Sequence, residues 1–90
     1  MKVFITRLIP SIGIELLKKK GFEVSVYKKD NPIPRKELLR QARDCDALIP
    51  LLSDRIDKEV IDKMKPCKVI ANYAVGFNNI DVDYAKSKGI

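Results

Sequence analysis

The chain contains no histidine, so its ninety residues lack the side chain most often used for proton transfer near neutral pH. Nor do its aspartates and glutamates form a pair placed for that work. The two cysteines, Cys45 and Cys67, stand far apart with neither C-x-x-C spacing nor a histidine partner. That pattern argues against a metal or redox centre, and two reduced core thiols are expected. The glycines at 13, 21, 76 and 89 are isolated, so there is no G-x-G-x-x-G, P-loop or nucleophile elbow. No apolar run is long and charge-free enough to cross a membrane, and the apolar run near the N-terminus is too short for a signal peptide. By default the expected location is cytoplasmic, with no membrane partner.

What is present describes one small α/β domain. Hydrophobic residues make up 46% of the chain, enough for a core. The net charge is +6, but 18 basic residues are interleaved with 12 acidic ones. The one dense cluster, Lys18-Lys19-Lys20, precedes Gly21, where cations favour the end of a helix. A solvated surface therefore outweighs a nucleic-acid patch, and no nucleic-acid partner is expected.

Val3-Phe4-Ile5 reads as a buried parallel strand within 2–6. A helix starts at Pro10-Ser11 with Ser11 as candidate N-cap, places Ile12, Leu16 and Leu17 on one face, and ends at Gly21. The alternating segment 22–27 is a strand at or near an edge. A proline-bearing linker leads to a helix over 35–44 with Leu38, Leu39 and Ala42 inward. A strand over 46–51 follows. Asp57 caps the next helix, which Pro66 ends. A fourth strand covers 67–71, and Asp81 caps a last helix closed by Gly89. Helices alternating with strands demand a parallel sheet. The expected fold is flavodoxin-like and three-layered, with strand order 2-1-3-4 and only Ile90 of a fifth strand.

In such sheets ligands bind beyond the carboxyl ends of the strands. Three loops leave that edge together: 7–10, 51–54 and 72–79. Gly76 permits close backbone approach and positive φ, and successive N–H groups there can cradle an anion. Arg7 can add charge to a carboxylate site, and Leu51 and Leu52 can wall it. Each also has an ordinary reading: a turn glycine, a surface arginine, core leucines. Asp54 and Asp57, near a helix start, read as caps rather than catalysts.

Taken together, Val3-Phe4-Ile5-Thr6-Arg7-Leu8-Ile9-Pro10, Cys45-Asp46-Ala47-Leu48-Ile49 and Ala74-Val75-Gly76-Phe77-Asn78-Asn79-Ile80-Asp81 resemble the substrate-binding domain of the D-2-hydroxyacid dehydrogenases. The likeness is to the glyoxylate/hydroxypyruvate reductase branch, and phosphoglycerate dehydrogenases share much of the pattern. The resemblance implies that the backbone N–H groups of Val75 and Gly76 hold a substrate carboxylate, with Leu52 and Leu51 beside it. Family members usually carry Asp where this chain has Asn78. The resemblance also implies NAD or NADP as cofactor of the full-length enzyme, bound by a separate Rossmann domain that brings the catalytic arginine, glutamate and histidine. Residues 1–90 are thus expected to be an incomplete substrate-binding domain that takes a small 2-oxoacid or 2-hydroxyacid. Alone they would be inactive, without metal, cofactor or catalytic residues of their own. The competing expectation is a stand-alone flavodoxin-like interaction module that self-associates through its open sheet edge.

Overall fold

Val3, Phe4 and Ile5 alternate between the two faces of a parallel sheet, and that alternation organises the domain. The computed structural model describes residues 1–29, 31–64, 69–73 and 76–90. The elements follow in the order β1 (Lys2–Ile5), α1 (Ser11–Lys19), β2 (Glu23–Val26), α2 (Arg35–Ala42), β3 (Ala47–Ile49), α3 (Lys58–Lys63), β4 (Val69–Ile70) and α4 (Val82–Ser87). The four strands lie in the order β2-β1-β3-β4, all parallel, as the sequence predicts. Phe4 pairs with Leu48 and Leu48 with Ile70, while Val3 pairs with Ala47.

Period-2 geometry sends these rows to opposite sides. Phe4 and Leu48 join Leu38 and Ala42 of α2, Val60 and Ile61 of α3, Met64, and Ala85 of α4 in the main core. Val3, Ile5 and Ala47 form a smaller cluster on the other face, covered by Ile14 and Leu17 of α1. The sheet therefore has helices on both faces, the three-layered arrangement that a buried parallel sheet requires.

Several boundaries differ from expectation. Pro10 occupies the N-cap position of α1 with no side-chain cap, so Ser11 is the first helical residue and not the cap. Proline suits that place because it has no N–H to satisfy there. Ile12 and Leu16 do not share the packed face with Leu17. They are 67% and 56% exposed, and Ile14 takes their place against the sheet. Residues 12 and 16 are one helical turn apart, but on the side of α1 away from Ile14. Asp57 and Asp81 cap α3 and α4 as expected, accepting from the N–H groups of Val60 and Tyr84. Gly21 and Gly89 adopt the positive φ of a helix-ending glycine. Cys45 is buried. Cys67 and the break expected at Pro66 lie outside the described residues. Among the described residues, no helix is long and apolar enough to cross a membrane, and no cluster of metal-ligating side chains occurs.

Candidate functional site at the carboxyl edge of the sheet

Ladder hydrogen bonds continue past the ends of the strands, one residue beyond β1 and β3 and three beyond β4. The N–H of Thr6 donates to Ile49 O and that of Tyr73 to Pro50 O, both within 3.2 Å. The three chains therefore leave the sheet at one level, side by side, with Arg7 and Leu51 next in their strands.

After β3 the chain closes a tight turn from Leu51 to Asp54. The N–H of Asp54 donates to Leu51 O at 2.9 Å, and the N–H of Leu51 donates to Asp54 Oδ2 at 2.9 Å. The same oxygen accepts a short hydrogen bond from the hydroxyl of Thr6. Thr6 is 1% and Asp54 4% exposed, so this knot is inside the protein. A buried carboxylate is costly unless it is hydrogen-bonded, and the bonds it makes here fix the turn against the end of β1. Asp54 is thus not the helix cap suggested by its position: it closes the preceding turn, and Asp57 does the capping. The turn presents Leu52, 54% exposed, with Leu51 half-buried beneath it. Neither leucine is a core residue.

Arg7 is half-buried. Its Nη2 donates to Ser53 Oγ at 3.3 Å, and its Nε is buried with no hydrogen-bond partner among the described residues. An arginine carries five donors, so this one retains capacity for an acceptor.

After β4 the described chain resumes at Gly76, which is exposed and has φ of +85°. A side chain at this position would be disfavoured even though a Cβ would meet no atom within 4 Å. Asn72 Nδ2 donates to the Gly76 carbonyl at 3.0 Å. Farther along, the N–H of Ile56 donates to Asn79 O and that of Asp81 to Ile56 O, which lays this loop along the segment after the Leu51 turn. Of the residues expected in the site, Arg7, Leu51, Leu52 and Gly76 occupy these loops; Val75 lies outside the described residues. Sequence reasoning missed Thr6, Asp54, Asn72 and Asn79, which hold the loops. The only hint was the density of amides in the last loop, where three of the eight residues from 72 to 79 are asparagine.

At the N-terminal starts of α2 and α3, Arg35 spans Asp57 and Glu59. Its Nη2 lies 2.6 Å and 2.8 Å from the two Asp57 oxygens and 2.9 Å from Glu59 Oε1. Hydrogen bonds to those carboxylates hold the Arg35 guanidinium above its ordinary range. For Asp57, burial alone would raise the pKa. The bonds from Arg35 and from the Val60 N–H outweigh it and hold the carboxyl below its ordinary range. Elsewhere, a hollow of about 500 Å³ is lined by Ile61, Asp62, Met64, Tyr84 and residues 88 and 90. It opens at the C-terminal ends of α3 and α4, away from the strand-end loops.

The model of the D-isomer specific 2-hydroxyacid dehydrogenase catalytic domain matches residues 3–90. The chain belongs to this family. It is 54% identical over 89 residues to a glyoxylate reductase of Thermococcus kodakarensis, a match covering 99% of this chain and 26% of that protein. A putative 2-hydroxyacid dehydrogenase of Staphylococcus saprophyticus is 48% identical over 90 residues, covering all of this chain and 28% of the relative. Among solved structures, the TT0316 protein of Thermus thermophilus superposes with a TM-score of 0.94 at 40% identity, covering 100% of this chain and 29% of that one. The NAD+-bound 3-phosphoglycerate dehydrogenase of Entamoeba histolytica gives 0.84 at 26% identity, covering 100% and 31%. The chain therefore spans about a quarter of the length of the curated relatives it matches. Membership along almost the whole chain does not favour the reading as a stand-alone interaction module.

Proposed function

We propose that the carboxyl-edge loops of this domain receive the carboxylate end of a small 2-oxoacid, such as glyoxylate or hydroxypyruvate, as the substrate-binding part of an NAD(P)-dependent D-2-hydroxyacid dehydrogenase. In this reading the N–H groups of Val75 and Gly76 donate to the carboxylate, and Arg7 supplies positive charge from the neighbouring loop. Leu51 and Leu52 form an apolar wall that suits a short substrate. One observation carries the proposal: the Gly76 loop, in a conformation that favours glycine, is tied beside an apolar turn whose Ser53 holds the half-buried Arg7.

The family reading brings in NAD(P)H, which supplies hydride to the 2-oxo carbon when bound. Among the described residues, the turn after β1 does not fit a dinucleotide. The β1–α1 turn runs from Thr6 to Pro10 without glycine, and a Cβ on Gly13 would already stand 3.3 Å from Ile9. A pyrophosphate would lack the close backbone approach it needs. In this reading cofactor binding and proton donation are assigned to none of the described residues, and the domain's own work is to bind and orient. A cytoplasmic setting, a separate NAD-binding domain as partner, and self-association belong to the same reading.

The test is a titration of the ¹⁵N-labelled chain with oxalate, a planar mimic of a 2-oxoacid, with acetate as control. Saturable shifts at the Gly76 and Leu52 amides, stronger for oxalate and weakened in Arg7→Ala, are expected. Shifts confined to the lysine-rich end of α1 would overturn the reading.

A further inference from the structure

Two amides link the loops that carry the expected substrate-contacting residues. Asn79 Nδ2 lies 3.0 Å from Leu51 O and 3.0 Å from Asp54 O, the two carbonyls at the ends of the turn that presents Leu52. Its Oδ1 accepts from Asn72 Nδ2 at 2.9 Å, and Asn72 Nδ2 also reaches the Gly76 carbonyl at 3.0 Å. Asn72 Oδ1 lies 3.1 Å from Asn79 Nδ2, which makes the two side chains a reciprocal amide pair. The two hydrogens of Asn79 Nδ2 thus serve three acceptors, one by sharing. Both side chains are half-buried, whereas the adjacent Asn78 is exposed.

We propose that Asn79 and Asn72 are positioning residues that weld the Leu51–Asp54 turn to the Gly76 loop, so that the apolar wall and the anion cradle keep one relative geometry. This rests on the carboxylate-binding reading above. The chemistry is specific to a primary amide, which offers two donors and an acceptor on one short stem. Aspartate at either place lacks the donors, and serine lacks the reach. Asn72 also fixes the Gly76–Phe77 peptide, which flanks the cradle. In a trans peptide the N–H points opposite to the C=O. With the Gly76 carbonyl committed to Asn72, the Phe77 N–H is turned the other way, and that carbonyl is not available to repel an incoming carboxylate. Were this peptide to flip, its carbonyl would be freed from Asn72 to turn toward the anion beside the Gly76 N–H. Asn79 acts on the other wall, because without it the turn keeps its internal closure through Asp54 but loses its tie to the loop after β4.

The experiment uses the ninety-residue chain and reads both amide relaxation without ligand and oxalate affinity. In Asn79→Ser, the Leu52 and Gly76 amides are expected to enter millisecond exchange with a shared rate, and oxalate to bind about tenfold more weakly. In Asn72→Ser, exchange is expected at Gly76 and not at Leu52, with a similar loss of affinity. Asn78→Ser, as control, leaves both readouts unmoved. Wild-type relaxation in both positioning variants, loosened loops with unchanged affinity, or equal effects in the control would each overturn the proposal. Should the wild type take up no oxalate at Gly76, the carboxylate reading falls instead. The weld is then decided by relaxation alone: joint exchange in Asn79→Ser supports it, and unchanged loops overturn it. If Asn79→Ser fails to fold, Asn72→Ser carries the test through Gly76 exchange and affinity.

Discussion

The segment from Leu51 to Glu59 is gripped by two polar clusters built on opposite terms. At its start, Thr6, Asp54, Asn79 and Asn72 form a knot of short side chains, two of them fully inside the protein, aimed mainly at backbone groups. At its end, Arg35, Asp57 and Glu59 form an ion-pair cluster whose side chains are 32–59% exposed. Water competes for every bond of the second cluster, whereas in the first the Thr6–Asp54 bond is fully buried and those of Asn79 are partly so. The contrast separates roles: the exposed cluster joins α2 to the start of α3 with little net energy, while the buried knot fixes backbone geometry where the site is expected.

That contrast can be broken from its strong side first. Asp54→Ala leaves the Leu51 N–H and the Thr6 hydroxyl without their shared acceptor and is expected to cost about 2–4 kcal/mol in urea unfolding. Asp54→Asn keeps an acceptor oxygen and is expected to lose less than half as much. If the two variants are equally damaging, the charge and not the hydrogen bonding holds the turn. Asn79→Ala removes the amide between the loops, for about 1–3 kcal/mol by the same measurement. Gly76→Ala meets no steric obstacle. Its cost, about 1–2 kcal/mol, is that of a side chain at positive φ. Thermal unfolding beside Gly89→Ala, also at positive φ, tests whether the cost is purely conformational.

The weak side gives the smallest effect. Arg35→Ala is expected to lose less than about 1 kcal/mol, and the loss should shrink with added salt. Its pH signature is more telling than its size. Because the Asp57 carboxyl is held below its ordinary range in the folded state, its contribution is present above the unfolded carboxylate range and is lost as pH falls through the folded value. The wild type should therefore lose stability on acidification more steeply than Arg35→Ala. Parallel curves would show that the cluster contributes nothing through Asp57.

The same division explains what could be read from the sequence. The caps at Asp57 and Asp81 and the ends at Gly21 and Gly89 follow from local rules, strand order follows from the alternation of strands and helices read as flavodoxin-like, and each is found. The inward face of α1 was misread because Ile12, Ile14, Leu16 and Leu17 admit two apolar faces, and only the sheet decides between them. Arg7, Leu51, Leu52 and Gly76 could be gathered at one edge because topology brings strand ends together. The welding residues could not. Nothing in the spacing separates Asn79 from Asn78, since their difference is which backbone carbonyls lie within reach once three distant segments have met. Asp54 looked like a cap for the same reason: its partner Thr6 is 48 residues away.

A crystal structure of the chain grown with oxalate tests the central claim most directly. The account predicts a carboxylate within hydrogen-bonding distance of the Gly76 N–H, with Arg7 turned toward it and the Asn72–Asn79 pair intact. Oxalate bound elsewhere, or a Gly76 carbonyl turned toward the anion, would contradict it.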